Sequence, residues 1–108
     1  MYLYVHDAAM HGYAMGFQPG SLGIWKDGLG LPGGVGLTLD SDHIFSIEIV
    51  REDAAITVVL TDTTTSGQWT ATSTDDDYHD LSTMQFRCGF YSAAATSTRI
   101  DDFVLQTR

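Results

Sequence analysis

The sequence predicts an all-β protein, an antiparallel sandwich or barrel, and three observations carry that expectation. Period-2 alternation recurs along the chain; over residues 84–91, Met84, Phe86, Cys88 and Phe90 alternate with Gln85, Arg87, Gly89 and Tyr91. Successive side chains leave a strand on opposite sides, so this pattern marks a strand with one buried face. Turn residues separate the alternating runs at spacings of roughly eight to twelve positions. No stretch carries a 3.6-residue apolar period with helix caps.

Residues 2–5 form the first strand, and a strand placed so early calls for something that pairs with it or precedes it. His11-Gly12 breaks it. Tyr13, Met15 and Phe17 alternate with Ala14 and Gly16 in a second strand, and Pro19-Gly20 turns the chain. Residues 22–26 are a third, with Leu22 and Ile24 on one face and Trp25 on the other. The segment DGLGLPGG over residues 27–34 is a glycine-rich loop. It has neither the strand, GxGxxG and helix context nor the lysine of a phosphate loop, so its glycines serve tight turns. Val35, Leu37 and Leu39 make a fourth strand ending at Asp40-Ser41-Asp42.

Residues 43–51 are the long central strand, with Phe45, Ile47 and Ile49 inward and Ile44, Ser46, Glu48 and Val50 on the second face. Ile44 and Val50 are apolar, which calls for partial cover on that face. Glu52-Asp53-Ala54 turns into residues 56–61, where Ile56, Val58 and Leu60 continue the core. DTTTSG over residues 62–67 is a polar turn, and residues 69–72 form a weak strand. DDDYHD over residues 75–80 is an acidic loop leading into the strand at 84–91. A small, hydroxylated turn follows over residues 92–98, and Ile100, Phe103 and Leu105 supply a closing strand.

A chain of 108 residues holds one core, so residues 1–108 are expected to be a single domain. Hydrophobic content of 44% against 18% charged residues is globular rather than disordered. The net charge of −9, with Lys26 as the only lysine, excludes a basic patch for a nucleic-acid backbone or an anionic membrane surface. No segment has the length of a membrane span. The first fifteen residues lack the basic start and apolar run of a signal peptide. Either this chain is not exported by that route or it is a module of a longer one. Cys88 is the sole cysteine, which leaves no intrachain disulfide and reads as a small buried thiol.

Catalytic and zinc patterns are missing. Ser41, Asp42 and His43 are consecutive and lack an elbow turn, so they do not make a triad. His6, His11, His43 and His79 have no HExxH or CxxC companions and read as turn or edge histidines. The acidic loop offers hard oxygens to Ca²⁺ through Asp75, Asp77 and Asp80, with Asp76 and Asp40 or Asp42 nearby; a solvated charge run is the plainer alternative. No other cofactor is expected. Glycan binding needs exposed rings with a polar rim, because sugar C–H faces stack on rings while hydroxyls take hydrogen bonds. Strand parity nominates Trp25, Tyr91 and Trp69, with Gln85, Arg87 and Glu48 as polar companions.

The segments HIFSIEI, ITVVLTD, FRCGFYS and RIDDFVL together resemble the concanavalin A-like lectin/glucanase superfamily, the laminin-G-like jelly roll, over residues 13–105. The resemblance implies an antiparallel β-sandwich of jelly-roll type, here with about eight strands, and a chain shorter than full family domains on its N-terminal side. Glucanases of that family carry Glu-x-Asp-x-x-Glu on one strand. This chain has only Glu48 and Glu52 with no aspartate between them, so no enzyme is expected. The expected function is a non-catalytic, lectin-like module that binds glycan through one sheet face or adjoining loops. It would act outside the cell, at a cell surface or on a virion. The alternative is a structural protein, such as a virion decoration, tail, surface-layer or filament component, whose partners are neighbouring subunits, a homo-oligomer included.

Overall fold

The computed structural model describes residues 1–18, 20–40, 43–78 and 84–89, with residues 86–89 described by backbone alone, and every regular element in it is β. Nine strands are described: β1 (Tyr2–His6), β2 (Gly12–Gln18), β3 (Ser21–Lys26), β4 (Leu29–Gly30), β5 (Val35–Gly36), β6 (Phe45–Glu52), β7 (Ala55–Asp62), β8 (Gln68–Thr74) and β9 (Gln85–Gly89). They make two antiparallel sheets. The larger runs β4-β3-β2-β1-β9, with β5 also joined to β3, and the smaller runs β6-β7-β8.

The alternation decides the packing. From the larger sheet Val5, Tyr13, Met15, Leu22 and Ile24 are buried; from the smaller, Ile56, Val58, Leu60 and Ala71. These residues form one cluster, with β3 lying against β7 and β8 and β2 against β6. Each fully buried Leu, Ile or Val contributes about 1.5–3 kcal/mol of transfer free energy. The β6–β7 hairpin closes in two residues because Asp53 takes a positive φ of 52°, which an aspartate tolerates. At the far end of β7, Asp62 Oδ1 accepts from the Thr64 and Thr65 amides at 2.9 and 3.2 Å and so caps the polar turn.

Several expectations change. β1 is an interior strand: β2 pairs on one side, and β9 supplies the neighbour its early position called for. His6 is therefore no turn or edge histidine; it is 5% exposed within that interior strand. The strand expected over residues 35–39 shrinks to β5, although Leu37 stays buried. The glycine-rich loop gains the two-residue β4. Ile44 is 73% exposed, so the second face of β6 is not covered there. The turn at 92–98 and the closing strand at 100–105 lie outside the described residues.

Candidate functional site

Residues that alternate with the core set face outward from the larger sheet. Reading across the register, one row is Arg87, Tyr4, Ala14, Trp25 and Gly30, and the next is Gly89, Tyr2, Gly16 and Gly23. β2 and β3 thus put almost no side-chain volume on this face between the tyrosines and the tryptophan. The indole packs into that space. A Cβ at Gly23 would stand 3.5 Å from Trp25 Cη2, and one at Gly30 would stand 3.6 Å from Trp25 Nε1. The contacts run along one long edge of the indole, from Cδ1 and Nε1 to Cζ2 and Cη2. Tyr2 meets Trp25 edge-on, with centroids 5.3 Å apart and planes at 86°, and Tyr4 follows Tyr2 at 5.7 Å and 53°. The Tyr2 hydroxyl donates to Gln18 Oε1 at 2.6 Å, which fixes the ring at its tip. All three rings are half-buried, so each keeps an open portion.

Polar groups surround these rings. Gln85 is exposed in the register position opposite His6, and Arg87 occupies the position opposite Tyr4. The only two buried side-chain polar atoms without a hydrogen-bond partner among the described residues are His6 Nε2 and Ser21 Oγ, and both residues belong to this face. His6 Nδ1 lies 2.9 Å from the Asp7 carbonyl oxygen, which can only accept, so Nδ1 carries the proton. Nε2 is then a lone pair without a donor.

The residues nominated from the sequence do not all gather. Trp25 and Gln85 share the outward side of the larger sheet, and Arg87 holds the register position opposite Tyr4. Glu48 is exposed on the outward side of the smaller sheet, opposite Val59 and across the core from the others. Trp69 is corrected: it sits opposite Leu60 and packs on the core. Its strand holds one large apolar residue among threonines and serines, so the sequence offers no parity signal, and pairing with β7 decides it. Tyr91 and Asp80 lie outside the described residues. Tyr2 and Tyr4 were missed as ring contributors; the alternation of Tyr2 and Tyr4 with Leu3 and Val5 was the available signal.

The acidic loop is a strap between the sheets. Asp75 Oδ1 accepts from the Tyr13 hydroxyl at 2.6 Å and Oδ2 from Lys26 Nζ at 3.0 Å, while Asp77 Oδ2 also accepts from Lys26. Arg51 donates to the Asp77 and Tyr78 carbonyls at 2.6 and 3.2 Å and lies 5.2 Å over the Tyr13 ring. The Tyr78 hydroxyl donates to Asp27 at 2.7 Å. A calcium ion at Asp75 and Asp77 would have to displace the Lys26 ammonium, so these two carboxylates do not fit the expected ligand set. Among the described residues no group of three or more His, Cys, Asp or Glu is placed to hold a metal. Millimolar Ca²⁺ is expected to leave the melting temperature unchanged, and a rise would return the ion to this loop.

The strap also sets an acid limit. The Tyr13 hydrogen bond leads the groups that hold the Asp75 carboxyl down, from an ordinary 3.8 to about 2; burial opposes it, and Lys26 and the Asp77 amide assist. The folded pKa lies below the unfolded one, so this stabilisation is complete above about pH 4 and is lost as pH falls through about 2. In urea titrations between pH 5 and pH 2, Asp75→Asn is expected to start less stable and to lose less on acidification than the native chain. Parallel curves would show that Asp75 carries no such linkage.

At the opposite end of β7, burial pushes the Asp62 carboxyl up, but hydrogen bonds from His43 and from the Thr64 and Thr65 amides outweigh it and hold it low. His43 Nδ1 lies 2.5 Å from Asp62, a structural pairing at the end of a hairpin. Glu48 and Glu52 lie on the same side of β6, four residues apart, about 13 Å by strand rise. Glycoside hydrolysis needs carboxyl groups about 5 to 9.5 Å apart. Compared with protein-family models, curated proteins and solved structures, the chain finds no match.

Proposed function

We propose that the two sheets form a jelly-roll sandwich of the concanavalin A-like kind, and that the protein is a non-catalytic, lectin-like module binding glycan on the outward face of the larger sheet. The observation that carries this reading is the half-buried Trp25 indole packed over Gly23 and Gly30, with the Tyr2 ring 5.3 Å away and perpendicular to it. A partly open ring is what the C–H face of a pyranose stacks on, and Gln85, exposed on β9 opposite His6, puts a polar group on the same side of the sheet. Glu48 and Glu52 stand on β6 of the other sheet, with Glu48 across the core from Trp25, so they supply no carboxylate pair beside this ring. Such a module works where glycans are displayed, at a cell surface, outside the cell or on a virion.

A glycan array probed with the purified protein tests this. Retention on a defined set of glycans, competed by the free sugar, is expected; no retention at high micromolar protein would remove the reading. The assembly alternative draws on Leu29 in β4 and Ile44 just before β6, 76% and 73% exposed. Light scattering across a concentration series separates the two: a monomer favours the lectin, a defined oligomer or filament the building block.

A further inference from the structure

We infer that His43 is a pH-sensitive latch: as an imidazolium it ties the segment ahead of β6 to the turn after β7, and the tie loosens when the imidazole loses its charge above neutral pH. A buried carboxylate whose counter-charge is titratable carries this inference. Asp62 is 3% exposed, and His43 Nδ1 lies 2.5 Å from its Oδ2. Asp40 Oδ2 lies 3.8 Å from the same nitrogen. Among the described residues, the charged groups that face the imidazole are thus Asp40 from its own segment and Asp62 from β7; Asp42 lies outside them. Both are acids, and both favour the charged ring over the neutral one. The cationic side chains of Lys26 and Arg51 are taken up by the acidic strap. An ionised carboxylate only accepts, so Nδ1 keeps its proton and the proton lost as pH rises leaves Nε2. Asp62 is then ionised and buried beside a neutral ring. The change reaches both segments. Asp62 Oδ1 accepts from the Thr64 and Thr65 amides, and the Thr63 amide and hydroxyl donate to the Ile44 carbonyl at 2.9 and 2.7 Å.

A histidine that holds its proton more tightly in the folded chain adds stability that is complete below about pH 6.5 and is lost as pH rises through its folded pKa. NMR titration of the imidazole nitrogens in the native protein is expected to place the His43 midpoint about one pH unit or more higher in the folded chain than in urea. The Thr64 and Thr65 amide shifts are expected to follow at the same midpoint. In urea titrations from about pH 5.5 to about pH 9, the native chain is expected to lose more stability than His43→Gln, which keeps a donor but cannot titrate. The other histidines are common to both chains and cancel in that comparison. Equal His43 midpoints in the folded and unfolded chain, or parallel stability profiles for the two proteins, would overturn the inference. The NMR titration needs only the native protein, so it decides the matter even where His43→Gln does not fold.

Discussion

Replacing Gly33 with alanine is expected to cost the fold about 3 kcal/mol, a fall in melting temperature of roughly 12 °C or more for a domain of this size. Two effects add at this position. Gly33 has φ of +104°, a conformation that L side chains rarely adopt, and its Cβ would lie 1.9 Å from the Thr72 carbonyl oxygen of β8. The clash is with backbone, which no rotamer change relieves. The loop is also pinned there by the Ser73 hydroxyl, which donates to the Pro32 carbonyl at 2.6 Å. Shifting it would disturb Leu31, which packs on the core, and the β5 contact with β8. Gly28→Ala is the control. Its φ is +86° but nothing lies within 4 Å of the added carbon, so only the conformational cost applies, about 1–2 kcal/mol. Equal losses in the two variants would mean that the loop does not press on β8.

Trp25→Ala is expected to weaken sugar binding at least thirtyfold, the loss of about 2 kcal/mol typical of a central aromatic anchor. The domain should stay folded, because the indole lies outside the core on a floor of glycines. Glu48→Ala, on the outward side of the smaller sheet, should leave affinity unchanged. Calorimetry on both variants, with circular dichroism as the check on folding, measures this. Retained affinity in Trp25→Ala, or a loss in Glu48→Ala, would move the site away from the larger sheet.

Strand positions and inward residues were legible in the long alternating runs of β2, β3 and β7, whereas the alternating residues 35–39 give only the two-residue β5. Ile56, Val58 and Leu60 were inward from pattern alone, and Trp25 was outward because Leu22 and Ile24 claim the other parity. Trp69 was not legible, since the residues that follow it are small and either parity satisfies them. The aromatic site was half legible. Trp25, Gln85 and Arg87 could be assigned to an outward face, but which strands neighbour one another depends on β9 returning to β1, a pairing across some eighty residues that no local signal encodes. Only that pairing, with β2 on the other side, brings Tyr2 and Tyr4 beside Trp25. The acidic loop misled for a related reason: its cationic partners, Lys26 and Arg51, are distant in sequence and come from different sheets.

A ¹⁵N chemical-shift map on adding a sugar retained on the array locates the binding face. The Trp25 indole N–H and the amides of Tyr2, Gly23 and Gly30 are expected to shift together, while the Trp69 indole and the amides around Glu48 stay still. Shifts confined to β6, β7 and β8, with the Trp25 indole unmoved, would contradict a site on the larger sheet.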